Sequence, residues 1–165
     1  TVSGRLVHKF GALAESPWVG VTHHFPSPER LAGLSVEEIA TIGVPKTRAA
    51  TIQHFSSFTA AGGLQLQAGI SLEELILRLK ALPGIGEWTA QYIAMRALRF
   101  PNAFPAGDLG LQKAVSGEAS QLAPRCTEKQ LLLRAEAWSP WRSYAALLLW
   151  QSLSGLPEAN AGVIG

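Results

Sequence analysis

The sequence predicts an all-α protein. Three observations carry that reading. Apolar residues recur at helical spacing along most of the chain, and no segment shows the strict alternation of a half-buried strand. Two segments, Ser35-Val36-Glu37-Glu38 and Ser71-Leu72-Glu73-Glu74, are capping boxes that open helices. Glycine and proline stand where such helices should stop.

Val2, Leu6 and Phe10 share one helical face, so the first helix begins within the first few residues. Gly11 to Pro28 is irregular, rich in proline, glycine and aromatics. The Ser35 capping box opens a short helix toward Ile42, and Gly43 ends it. Pro45 fits the first position of the next helix, Lys46 to Ala60, which Gly62-Gly63 closes. The Ser71 box opens a helix carrying Leu75, Ile76 and Leu79, stopped at Pro83. Another runs from about Glu87 to Leu98. Asp108 is placed to cap a helix through about Val115. Thr127 caps a helix to Trp138, and the last helix runs from about Pro140 to Leu153. One helical domain is expected over residues 1–155. The small, polar tail 156–165 is expected to fray.

The chain has 165 residues, enough for a domain with a real core. Its composition, 47% hydrophobic and only 16% charged, predicts a compact body with a sparsely charged surface. The longest clear apolar run, Ala145 to Trp150, is too short to span a membrane. The single cysteine, Cys126, leaves no internal disulfide and no four-cysteine cluster, whether zinc or iron–sulfur. His8, His23, His24 and His54 lack the carboxylate or cysteine company of a metal site. Net charge is +2 and the pI about 8.9. That balance permits a nucleic-acid partner without indicating one. With so few cations, phosphate affinity would have to come largely from backbone N–H groups. The chain begins at Thr1 and shows no signal peptide. It reads as an excised domain from a reducing compartment.

Two local features carry chemistry. Leu82-Pro83-Gly84-Ile85-Gly86 joins two helices, and its glycines allow a tight reversal that exposes successive amides at a helix N-terminus. Ile85 is expected to pack back between the helices. Such a turn is either an anion site, suited to a nucleic-acid phosphate, or a plain connector. Glu87 in the first helical turn suits the helix dipole and repels a phosphate. The second feature is Asp108, the only aspartate beside eleven glutamates. A short carboxylate after a glycine turn can be held rigidly, as an ordinary helix cap or as a stabiliser of positive charge.

Leu82 to Tyr92, followed by Phe104-Pro105-Ala106-Gly107-Asp108-Leu109-Gly110-Leu111-Gln112-Lys113, resembles the helix-hairpin-helix (HhH-GPD) superfamily of DNA glycosylases. The likeness is strongest to the alkylpurine branch, of the 3-methyladenine DNA glycosylase II type. Ile42-Gly43-Val44-Pro45-Lys46-Thr47-Arg48-Ala49 and Trp138-Ser139-Pro140-Trp141-Arg142-Ser143-Tyr144-Ala145 extend it. It covers about Val2 to Ser154.

The resemblance implies a two-lobed helical domain with its active site in the cleft, acting on damaged double-stranded DNA. The expected reaction is hydrolysis of the N-glycosidic bond of a flipped-out alkylated purine such as 3-methyladenine. Asp108 matches the catalytic aspartate, which would stabilise a sugar cation. Trp88 stands where lyase-active branches carry a lysine, so a monofunctional enzyme without a Schiff base is expected. Trp88, Tyr92 and Trp150 match aromatic walls for the base, with core packing as the competing reading. Trp138, Trp141 and Tyr144 are expected in the core or at lobe contacts. DNA contacts are implied for Leu82, Gly84, Ile85, Gly86 and Thr89. Lys46 and Arg48 either touch phosphate or are solvated, and Arg142 forms a salt bridge or a cap. Carbonyls of Lys80, Leu82 and Gly84 match positions that hold Na+ or K+ in relatives; no other cofactor is expected. A cytoplasmic, bacterial setting follows from the same resemblance.

One departure is plain. The branch carries an N-terminal sheet domain and a helix supplying a glutamine and a wedge residue, and this chain starts after both. Weaker flipping is expected to follow. A non-catalytic hairpin module for DNA binding is therefore the alternative function, and a purely structural helical domain the third.

Overall fold

The computed structural model describes residues 1–64, 70–116 and 126–153. Helices dominate it. Among the described residues the only strand-like pairing is an isolated antiparallel bridge between Leu13 and His23. The chain divides into two compact units, the first made of Thr1–Ser71 with Leu77–Ile85. Leu72–Ile76 and the described residues from Gly86 onward form the second. The expected tail, 156–165, lies outside the described residues.

The first unit holds α1 (Val2–Phe10), α2 (Pro28–Ala32), α3 (Val36–Ala40) and α4 (Lys46–Ala60). The Thr1 hydroxyl accepts from Gly4 N at 3.1 Å and starts α1. Leu6, Phe10, Leu31, Leu34, Ile39, Ile42, Val44 and Ala49 are buried together, with Val36, Ala40 and Ile52 packed on them. The Ser35 capping box forms as expected, with Glu38 Oε2 accepting from Ser35 N at 2.7 Å. Two details differ from expectation. Pro45 is the N-cap of α4, not its first helical residue, because its ψ of 148° is extended. The stretch expected to be irregular up to Pro28 hands over to a helix there. Ser27 caps it by accepting from Arg30 N at 3.2 Å, and Pro28 occupies the first helical position. That Ser-Pro-Glu signature was legible in the sequence.

Helix α5 (Leu72–Lys80) contributes to both units. The second unit continues with α6 (Glu87–Arg96), α7 (Leu109–Ser116), α8 (Glu128–Ala135), a 3-10 turn at Glu136–Trp138, and α9 (Arg142–Leu153). Its buried residues include Ala90, Ala94, Ala103, Phe104, Pro105, Leu111, Leu131 and Ala146. Helix α6 ends earlier than Leu98. Ala97 N and Leu98 N both donate to Ile93 O, and Arg99 then turns the chain with φ 59°. The helix expected from Thr127 to Trp138 tightens to 3-10 at Glu136. Its Thr127 cap is reinforced by Gln130, which closes a second capping box. Helix α9 starts at Arg142 rather than Pro140, after Trp141 N donates to Trp138 O at 2.7 Å.

Candidate active site

Asp108 opens α7. Its Oδ1 accepts from Leu111 N at 2.9 Å, so the expected cap is formed. The same carboxylate is held by two indoles. Trp150 Nε1 donates to Oδ1 at 2.9 Å, and Trp88 Nε1 donates to Oδ2 at 3.1 Å. Both carboxylate oxygens are thus engaged, by donors from α6, α7 and α9. Burial alone would raise the carboxyl. Donations from Trp150, Leu111, Trp88 and the Gly110 amide outweigh it and hold Asp108 below its ordinary value. It is an ionised, fixed and weakly basic group.

The loop that delivers Asp108 is anchored on both sides. Gln91 Oε1 accepts from Phe104 N at 3.0 Å, and Gln112 Nε2 donates to Ala106 O at 3.1 Å. Ala103, Phe104, Pro105 and Ala106 are buried between these anchors. A carboxylate at the end of such a loop cannot swing freely. Gly110 adds a steric condition. A Cβ there would lie 2.9 Å from Asp108 Oδ1 and 3.5 Å from Trp150 Nε1. Only a glycine leaves that carboxylate–indole pair undisturbed.

The aromatic residues meet around this group. Trp88 and Tyr92, one helical turn apart on α6, stack at 5.2 Å with 19° between planes. Tyr92 and Trp150 meet at 6.0 Å and 58°. With Arg96, Asp108 and Leu147 these rings line a cavity of about 390 Å³. That volume lies in the range of small-molecule sites, about 300–1,000 Å³. Trp88 is 41% exposed, and Tyr92 and Trp150 are half-buried, so none of the three is a core residue. The arrangement can take a flat ring system against its aromatic faces and hold a negative charge at its edge.

Trp138 is half-buried and meets Phe104 edge-on at 5.8 Å. Trp141 and Tyr144 are no part of the core. They are exposed and pack edge-on against each other at 5.7 Å, because α9 begins at Arg142 and leaves both at its open start. Arg142 forms a cap, its Nε donating to Ala135 O at 3.1 Å behind α8. Arg96 and Leu147 were not singled out as lining residues. Helical spacing could have found them: Arg96 is one turn beyond Tyr92, and Leu147 is three residues before Trp150. The steric role of Gly110 depends on Trp150, distant in sequence, and left no local signal.

The hairpin contains the division between the two units, which falls after Ile85. On its first side, Ile85 N donates to Leu82 O at 3.1 Å and Gly84 turns with φ 83°. A Cβ at Gly84 would collide with the Thr51 hydroxyl, so glycine is required twice over. Ile85 is half-buried. On the second side, Gly86 precedes α6 in an extended conformation (φ −92°, ψ 177°), which any residue can adopt. Nothing lies within 4 Å of a Cβ built there. The first turn of α6 has no side-chain cap. Thr89 is half-buried, and the Glu87 carboxylate accepts from Gln91 Nε2 at 3.0 Å. Lys46, in the first unit, pairs with Glu37 at 3.1 Å on the surface. Arg48 is exposed.

A family model described as HhH-GPD superfamily base excision DNA repair protein matches residues 1–142. A Mycobacterium tuberculosis protein named probable bifunctional transcriptional activator/DNA repair enzyme AlkA is 41% identical over 153 residues, 93% of this chain and 29% of the relative. DNA-3-methyladenine glycosylase 2 of Escherichia coli is 32% identical over 134 residues, 81% of this chain and 45% of the relative. The chain therefore spans less than half the length of these two relatives. In fold it is similar to the 3-methyladenine DNA glycosylase structure from Archaeoglobus fulgidus, with TM-score 0.77 at 24% identity, over 95% of this chain and 52% of that one.

Proposed function

The chain belongs to the HhH-GPD superfamily of base excision DNA repair proteins, and from that premise we propose that it is a monofunctional DNA glycosylase. Its substrate class is an alkylated purine such as 3-methyladenine in double-stranded DNA. The reading rests on one observation above the others. The only aspartate of the chain is held ionised by two indoles at the wall of an aromatic cavity.

The chemistry follows from that geometry. The damaged nucleotide leaves the stack and its base enters the cavity lined by Trp88, Tyr92 and Trp150. Alkylation leaves the purine electron-poor, and electron-rich indole faces favour such a ring. As the N-glycosidic bond stretches, positive charge builds on the deoxyribose. Asp108 supplies a fixed opposite charge that need not reorganise. Water adds to the sugar, the base departs, and an abasic site is left. The two indole donors make Asp108 a poor proton acceptor, so electrostatic stabilisation is its main work. Trp88 offers no amine, so no Schiff base forms and the strand is not cut.

The hairpin would hold the DNA backbone. Support comes from Gly86, whose own fold gives no reason for glycine. A backbone that approaches closely from outside gives one. Leu82, Gly84, Ile85 and Thr89 would share this contact. Glu87 is turned to Gln91. Lys46 can exchange its exposed partner Glu37 for a phosphate at little cost. The carbonyls of Lys80, Leu82 and Gly84 suit a hard monovalent cation, being neutral oxygens. Leu82 O keeps a second lone pair beside the Ile85 N–H. Na+ or K+ held there would add positive charge next to a bound phosphate.

The test is incubation with alkylated duplex DNA, scoring free methylated purine and strand breaks separately. Release of base with strands intact until alkali is added is the expected result. Breaks without alkali would contradict the monofunctional assignment. Salt-sensitive binding with no release would make the chain a hairpin DNA-binding module instead.

A further inference from the structure

Beside the aromatic cavity lies a second, of about 210 Å³, lined by Met95, Arg96, Arg99, Phe100, Ser143 and Tyr144 among others. Arg96 and Leu147 border both cavities. An occupant of one is therefore separated from an occupant of the other by single side chains.

This second site is firmly built. Ser143 is buried and its hydroxyl contacts Phe100 O and Ala103 O, each at 2.7 Å, while Ser143 N donates to Pro101 O at 2.9 Å. These bonds tie the 99–103 turn to the start of α9. At the head of that turn stands Arg99 with φ 59°, a backbone region that disfavours a long side chain. A glycine would relieve the strain, yet an arginine is present, and strained positions of this kind gather at binding sites. Among the described residues neither Arg96 nor Arg99 forms an ion pair, and no carboxylate lines the cavity. Both residues are exposed.

We propose that this cavity is a phosphate site, in which Arg96 and Arg99 grip one phosphodiester of the strand that carries the flipped nucleotide. The proposal rests on the glycosylase reading. Guanidinium forks match the oxygens of a phosphate, and Tyr144 adds a hydroxyl donor at the rim. A nucleotide whose base fills the aromatic cavity must bring its own backbone to the mouth of that cavity. The site also accounts for Arg96. A bare cation on the wall would repel a positively charged alkylpurine, whereas a guanidinium neutralised by phosphate would not.

The experiment is a salt series of binding to a short duplex carrying a stable abasic-site analogue, read by fluorescence anisotropy. Each neutralised phosphate contributes about 0.9 to the slope of log affinity against log salt. Arg99→Asn removes the charge and keeps a side chain that tolerates the left-handed backbone. It is expected to flatten the slope in part, as is Arg96→Gln at an exposed helix position, and the double variant should flatten it by about 0.9, the contribution of the one phosphodiester that the two guanidiniums share. Arg99→Lys should keep the slope, and Arg30→Gln in the first unit should leave it untouched. Wild-type slopes in both Arg99→Asn and Arg96→Gln would overturn the proposal while leaving the glycosylase reading standing. Absence of duplex binding by the wild type would bring down both. If inorganic phosphate raises the melting temperature only when Arg99 is present, while DNA slopes stay equal, the occupant is a free anion and the strand assignment fails.

Discussion

The chemistry of Asp108 is set by its donors. Because its carboxyl is held below the ordinary value, the stability it lends is complete above the unfolded carboxylate pKa of about 3.9 and is lost as pH falls through the folded value. Trp150 gives the largest lowering contribution. Trp150→Phe should therefore raise the Asp108 pKa and move the acid limb of single-turnover base release to higher pH. A limb that stays in place would mean the indole does not tune the carboxylate. Gly110→Ala makes the complementary test. Its methyl group would press on Asp108 Oδ1, held by two N–H donors, and on the Trp150 indole. Displacements near 1 Å cost about 10²-fold in rate, while alanine gains about 1 kcal/mol of helix propensity over glycine. Base release should fall by about that factor with the melting temperature held or raised. The lone aspartate and the Trp88 position were legible in the sequence. The clamp was not, because Trp88, Asp108 and Trp150 lie far apart along the chain and meet only through tertiary packing.

The hairpin is the informative element, and its two glycines separate fold from function. Gly84→Ala meets both a positive φ and the Thr51 hydroxyl. It should destabilise the first unit by about 1–3 kcal/mol, measured by chemical denaturation. Gly86→Ala meets neither obstacle. Its melting temperature should match the wild type while duplex affinity drops. Unchanged affinity in Gly86→Ala would remove the hairpin from the DNA contact. Most helices could be read from their caps: Ser35 and Thr127 accept the backbone bonds expected of them. What escaped was the short α2: its five residues are too few to show periodicity, and only its Ser27-Pro28-Glu29 start marks it in the sequence. The boundaries at Ala97 and Trp141 escaped too, since turns set them and apolar pattern did not.

The whole molecule is two helical units, each with buried residues of its own, and the family match runs through both. The order of hairpin, loop and aspartate pointed to that family, and the family match bears it out. Arg96 and Leu147 show the limit of such reading: motif order points to a family and is silent on neighbours that complete a cavity. The central claim is that this molecule breaks a glycosidic bond by means of one fixed negative charge. Asp108→Asn removes that charge yet keeps an acceptor for the Leu111 amide, so the helix cap survives. Single-turnover release of methylated purine from alkylated duplex DNA, compared between the wild type and Asp108→Asn, is the most direct measurement. A loss of about 10²-fold or more is expected in the variant, with fold and DNA affinity retained. Equal rates of release from the two proteins would contradict it.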